Sequence, residues 1–154
     1  MTATQKPARR EGLRFRTEDD AIAEVIRLRR GYAQAGSWSL PQTCSHLTKA
    51  VFARMQPGPF PPDTDEQKAR RPIADQTLAT GKLPDGLQAP EAFQPSANCS
   101  DAAIDEFVAA MEKFKAYRDP IAPHRLFGQL PDAEARTLNL IHCAHHLSYL
   151  SPTT

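Results

Sequence analysis

The sequence predicts an all-α fold: a bundle of four amphipathic helices, with a long Pro-rich connection between the second and the third. Three observations carry this. Apolar residues recur at three- and four-residue spacing in four separate stretches. Residues suited to opening a helix stand just ahead of those stretches. Eight of the 14 prolines crowd into residues 57–97, where neither a helix nor a central strand can run through. Nothing reads as a strand-rich region, and no repeat of domain-building length is present. The length, 154 residues, suits a single domain with a real core.

Residues 1–16 are polar and basic and read as a flexible N-terminal tail, turning into an extended lead-in at Leu13 and Phe15. Thr17 is placed to cap the first helix, with Glu18, Asp19 and Asp20 giving its first turn negative charge. Ala21, Ile22, Val25, Leu28 and Tyr32 follow at helical spacing, which predicts a helix over 18–33 ending near Gly31 or Gly36. Ser39 with Gln42 forms a capping box for the second helix, and Pro41 is tolerated in its first turn. Its apolar stripe is Leu40, Cys44, Leu47, Val51 and Met55. His46 stands off that stripe, on a face shared with Gln42, Thr43, Ala50 and Ala53. That face either lines a roomy polar cavity or looks at solvent.

The 57–97 segment is a long irregular insertion. Asp65–Thr80 has room for one short helix interrupted at Pro72, and Gly81–Gly86 reads as a turn. A connection this long inside a domain is usually functional, and it reads as a wrapping loop or lid anchored by Phe60, Leu83, Leu87 and Phe93. Ser100 is the expected cap of the third helix, about 101–118, carrying Ile104, Phe107, Val108, Met111, Phe114 and Tyr117. Asp119-Pro120 stops it. Pro131, with Asp132 and Glu134 behind it, opens the fourth helix, which runs unbroken by Gly or Pro to Ser151.

Charge and cysteine content narrow the function classes. A formal net charge of +1 gives no electrostatic case for nucleic acid or an anionic membrane. No segment approaches the roughly 20 apolar residues that span a bilayer. No apolar run follows the basic N-terminal residues, so a signal peptide is not expected. Cys44, Cys99 and Cys143 are scattered and odd in number, which suits a reducing, cytoplasmic setting.

The chemistry concentrates at His142-Cys143-Ala144-His145-His146, which holds three of the five histidines. Residues four apart on a helix lie about 40° apart around the axis, so His142 and His146 can point the same way and share an ion. His145 lies about 60° from His142 on the other side, as a supporting group or a partner for another helix. Imidazole suits a divalent transition metal such as zinc or nickel. His46 is the natural third ligand, since a bundle builds metal sites from facing helices. The HExxH glutamate of the zincins is missing, so peptide hydrolysis by that mechanism is not suggested. Without a metal, the same helix end would hold histidines bonded to backbone or water.

Trp38-Ser39-Leu40-Pro41-Gln42 with His46-Leu47, Pro123-His124-Arg125-Leu126-Phe127-Gly128, and His142 through Leu150 together resemble an uncharacterised branch of the DinB/YfiT-like superfamily, a domain of unknown function. The resemblance spans about Phe15 to Pro152. It implies an up-down-down-up four-helix bundle with a metal held by His46, His142 and His146. Better-studied relatives include thiol-dependent S-transferases and a maleylpyruvate isomerase, which implies a low-molecular-weight thiol as a further cofactor. The branch shows His-Pro ahead of its Phe-Gly, whereas here Arg125 follows His124.

Two functions follow as expectations. One is a metal-dependent thiol S-transferase or hydrolase acting on a small molecule. The other is a non-catalytic bundle acting by homodimerisation or partner binding. His124 and His145 are the pocket or supporting candidates. Cys44 reads as an inert core thiol and Cys99 as exposed, while Cys143, about 100° from His142, is not placed to join it. Trp38 reads as a packing anchor and Tyr149 as core padding. Arg29, Arg30, Arg70 and Arg71 read as solvated surface.

Overall fold

The structure is a computed structural model that describes residues 7–96 and 98–153. It is mostly helical. Among the described residues, six α-helices, α1 (Glu18–Arg29), α2 (Leu40–Arg54), α3 (Asp65–Ala69), α4 (Arg71–Thr80), α5 (Ala102–Ala116) and α6 (Asp132–Leu147), are accompanied by a 3₁₀ turn at Glu91–Phe93 and two short strands, β1 (Tyr32–Gln34) and β2 (Leu150–Pro152). The long helices α1, α2, α5 and α6 pack on one another, with the most extensive contact between α2 and α5.

The predicted caps at two helix starts are in place. Asp20 N–H donates to the Thr17 hydroxyl and the Asp20 carboxylate accepts from Thr17 N–H; Ser39 and Gln42 exchange the same pair of bonds. The apolar stripes meet as expected. Leu40, Cys44, Leu47 and Val51 of α2 are fully or almost fully buried with Phe107, Met111 and Phe114 of α5, Val25 and Leu28 of α1, and Cys143 and Leu147 of α6.

Several boundaries differ from expectation. The first helix stops at Arg29, because Gly31 takes φ +154°, and Tyr32 begins β1 instead of extending the helix. The last helix stops at Leu147, and Leu150–Pro152 pairs antiparallel with β1. These two three-residue strands are small exceptions in a mostly helical structure, which is consistent with the all-α class expected. Pro72 does not interrupt one helix but sits in the first turn of α4, where its missing N–H costs nothing. The third long helix begins at Ala102; Ser100 sits ahead of the start, its hydroxyl accepting from Ala102 N–H at 3.4 Å.

The insertion is held to the helices. Ala74 and Thr77 of α4 are its buried anchors, and Arg71 pairs with Glu134 of α6 at 3.1 Å. Leu87, expected as an anchor, is exposed, while Phe60, Leu83 and Phe93 are part-buried. The expected flexible tail behaves otherwise over its described part. Arg10 N–H donates to Ser148 O at 2.8 Å and its guanidinium to Leu147 O, so the lead-in is fastened to the C-terminus of α6, whose last carbonyls need donors. Residues 1–6 of that expectation lie outside the described residues. Among the described residues no helix is long and apolar enough to cross a membrane.

Candidate metal centre and cavity

His46 comes from the middle of α2, and His142 and His146 from consecutive turns of the end of α6. The Nε2 of His142 lies 3.1 Å from that of His46 and 3.1 Å from that of His146. The potential donor atoms of all three lie within 4.8 Å of one another, so the group could hold a metal ion. His46 is buried and the other two keep some surface toward a cavity.

Hydrogen bonding alone does not account for this convergence. His46 donates Nδ1–H to the Phe93 carbonyl at 2.6 Å, which leaves its Nε2 a bare lone pair. His142 then faces two Nε2 atoms. With His46 Nε2 bare, no neutral arrangement gives both contacts a straight N–H···N bond: a proton on His142 Nε2 can point at only one neighbour, and without it the His46 contact has none. A further proton is resisted. Burial lowers the pKa of His46, with the Phe93 carbonyl partly offsetting it, and burial followed by its neighbours His146 and His46 holds His142 well below its usual range. Burial and then His46 bring His146 down to about 2. Three neutral imidazoles aimed at one point fit the requirements of a cation: ligand nitrogens at about 2.0–2.1 Å from a shared ion are at most about 4.2 Å apart.

The long insertion supplies the group that orients His46. The 3₁₀ turn places the Phe93 carbonyl on Nδ1, and Lys49 and Ser45 of α2 tie the same stretch down through Gln94 O and Ser96 N–H. A carbonyl fixing the far nitrogen of a ligand histidine is the usual supporting contact in metal sites. Trp38 stacks on His146 with centroids 5.3 Å apart and leans on His46 at 5.0 Å. It is a packing anchor, as expected, but what it packs against is the histidine group.

The centre opens into a cavity of about 840 Å³ that all five histidines line. The face of α2 carrying His46, Thr43 and Ala50 therefore looks into a cavity and not at solvent. His145 stays out of the three-histidine group. Its Nδ1 accepts from Arg9 at 2.9 Å, its ring stands edge-on to His146, and burial, then Arg9, lowers its pKa to about 4. Arg9 also bonds the Ser148 hydroxyl, pairs with Asp85 at 3.5 Å and covers the Tyr149 ring, so Tyr149 lines the cavity instead of padding the core. His124 combines both roles open to it: Nδ1 accepts from Leu126 N–H at 3.0 Å, its backbone bridges to Gly128, its ring stacks on Phe127, and it lines the cavity.

None of the three thiols is among the residues lining the cavity. Cys44 and Cys143 are buried, and burial pushes the Cys44 thiol up to about 12 and raises Cys143 likewise. Cys99 is part-buried and donates to Ser96 O.

The sequence did not single out the Phe93 carbonyl as the acceptor for His46, nor Arg9 or Arg54. Arg54 was within reach: it follows His46 by two turns through Ala50, and all three line the cavity.

Fold and site thus define a mostly helical protein with a histidine group able to hold a metal ion. The family described as Protein of unknown function (DUF1569) matches residues 7–153, and the chain belongs to it. No curated protein and no solved structure matches significantly.

Proposed function

We propose that the chain is a DinB-like metalloenzyme: an up-down-down-up bundle of α1, α2, α5 and α6 in which His46, His142 and His146 bind one divalent transition metal, zinc or nickel, and the cavity takes a small-molecule substrate. The observation that carries the reading is the approach of the His46 and His146 Nε2 atoms to His142 Nε2, each at 3.1 Å, which no neutral arrangement of protons turns into two hydrogen bonds. Three protein ligands beside an open cavity are the pattern of a catalytic site and not a structural one. Bound there, the ion would supply a Lewis-acid centre that lowers the pKa of a water or small thiol in its open position. Transfer of that thiol to an electrophile, or hydrolysis, is the reaction class this supports.

The protein's own groups complete the site. Phe93 O keeps the His46 proton on Nδ1, so Nε2 stays available. Trp38 covers one side of the His46 and His146 rings and keeps water from them. The neutral His145, bonded by Arg9, buttresses the edge of His146.

The test is elemental analysis of protein purified without a histidine tag, followed by melting with and without added zinc or nickel. The wild type should hold about one metal per chain. His46→Ala, His142→Ala and His146→Ala should lose metal-linked stabilisation, while His145→Ala should keep most of it, losing at most roughly 10–100-fold in affinity. Wild type without metal, or His145→Ala losing metal while His142→Ala retains it, refutes the centre.

A further inference from the structure

One wall of the cavity carries a cation without a counter-charge. The Arg54 Nε and Nη1 atoms are buried and have no hydrogen-bond partner among the described residues, and none of the ion pairs there involves Arg54. A guanidinium so placed is costly unless something neutralises it. Its nearest charged company makes matters worse: burial, then Arg125, lowers Arg54 to about 10. His124 stands with them, brought down to about 3 by burial, then by Arg54 and Arg125. Because His124 Nδ1 accepts from Leu126 N–H, its proton is on Nε2, which has no hydrogen-bond partner among the described residues. Arg54, Arg125 and His124 all line the cavity, and all present donors only. The carboxylate in the cavity lining, Asp85, is exposed and paired with Arg9.

We propose that Arg54, Arg125 and the His124 Nε2–H form an oxyanion-binding subsite, which seats the carboxylate or tetrahedral oxyanion of a small ligand whose other end reaches the three-histidine centre. The guanidinium fork matches either oxyanion with two parallel bonds, and a neutral imidazole N–H adds a third. The layout also sets a ligand length. Arg54 follows His46 by eight residues, so their backbones are about 12 Å apart along α2. Ala50, midway and small, leaves the space between them open. The subsite therefore selects elongated anionic molecules over compact neutral ones. This inference rests on the cavity being the small-molecule site proposed above, but not on the metal.

The experiment uses the full untagged chain, stripped with a chelator so that an anion cannot bind through an ion. Inorganic phosphate, sulfate, succinate and uncharged succinamide are titrated against the fluorescence of Trp38, the chain's one tryptophan, and against melting temperature. Succinate, or phosphate and sulfate, should bind saturably and raise the melting temperature, and succinamide should do neither; which anions bind tells carboxylate from tetrahedral oxyanion. Arg54→Gln should weaken binding by about 10-fold or more, and Arg125→Gln by a smaller factor. Arg54→Met should abolish the anion response yet melt a few degrees higher than wild type without anion, since it removes an uncompensated charge. His142→Ala should keep the anion response, so failure of the metal centre and failure of this subsite are separately visible. The proposal is overturned if succinamide matches succinate, if Arg54→Gln and Arg125→Gln bind anions as wild type does, or if Arg54→Met melts lower or does not fold, because Arg54 is then a structural residue.

Discussion

Acidification should destabilise this chain strongly between about pH 6.5 and about pH 5, and the histidines set the size of the effect. Burial first, then Arg54 and Arg125, brings His124 down to about 3; burial first, then His46, brings His146 to about 2. An unfolded histidine titrates near 6.5. The folded values are the lower ones, so below about pH 6.5 the unfolded chain binds protons that the folded chain refuses. The stability contributed by holding these rings neutral is complete above the unfolded pKa and is lost as pH falls toward the folded values. Each such group costs about 1.4 kcal/mol per pH unit across that window. Two groups over about 1.5 units lose about 4 kcal/mol, a large share of the 5–15 kcal/mol that typically holds a domain together. His142, held neutral by burial and its neighbours, acts in the same direction. A metal on the site leaves the sign unchanged, because ligand histidines must also be deprotonated. The assay is urea unfolding followed by circular dichroism at about pH 7.5, 6.5, 5.5 and 5. His124→Gln keeps an acceptor for Leu126 N–H but cannot titrate, so its slope should be shallower by about 1.4 kcal/mol per unit. Stability that is flat or rising on acidification, or a slope that His124→Gln leaves unchanged, would refute the reasoning.

Two structural predictions accompany it. Gly128→Ala should destabilise by about 2 kcal/mol or more, since φ is +74° and a Cβ would stand 2.5 Å from the Asp63 carboxylate that accepts Gln129 N–H; an unchanged denaturant midpoint would contradict this. Phe107→Ala, at a fully buried ring between α5 and the other long helices, should cost about 3–5 kcal/mol, while Ile26→Ser, at an exposed apolar position, should stay within about 0.5 kcal/mol by the same measurement.

What the sequence made legible was local. The Thr17–Asp20 and Ser39–Gln42 boxes depend on three residues and a hydrogen bond, and both are present. The apolar stripes of α2 and α5 depend only on helical spacing, and their residues are the buried ones. The ends of the first and last helices failed for the opposite reason. Tyr32 and Leu150 both continue a helical pattern, but each finds a partner about 120 residues away, and the β1–β2 pairing of Tyr32 with Pro152 and Gln34 with Leu150 overrides it. Helical spacing cannot report a strand partner of that separation. The lead-in followed the same logic: a basic, polar stretch reads as a tail until the carbonyls of Leu147 and Ser148 are known to lie beneath Arg10.

The candidate site divides along the same line. His142 and His146 were legible as a pair because they lie one turn apart on one helix. His46 could be named only as a histidine off the apolar stripe, since whether that face meets a cavity or solvent depends on what the 57–97 insertion covers. The insertion decides it, by laying Phe93 O on Nδ1 and closing the cavity with its 83–90 stretch. A backbone carbonyl carries no side-chain signature, so no reading of residue types would find it. Arg54 shows the converse. Its spacing from His46 was visible, but an arginine near a helix C-terminus ordinarily satisfies the last carbonyls and faces water. What marks it here is the lack of any partner for two buried guanidinium atoms, a property of everything that surrounds it. The chemistry most open to inference in this chain therefore lies where a polar group is left unmatched: three converging imidazole nitrogens with too few protons between them at one end of the cavity, which ask for a cation, and an unpaired guanidinium at the other, which asks for an anion.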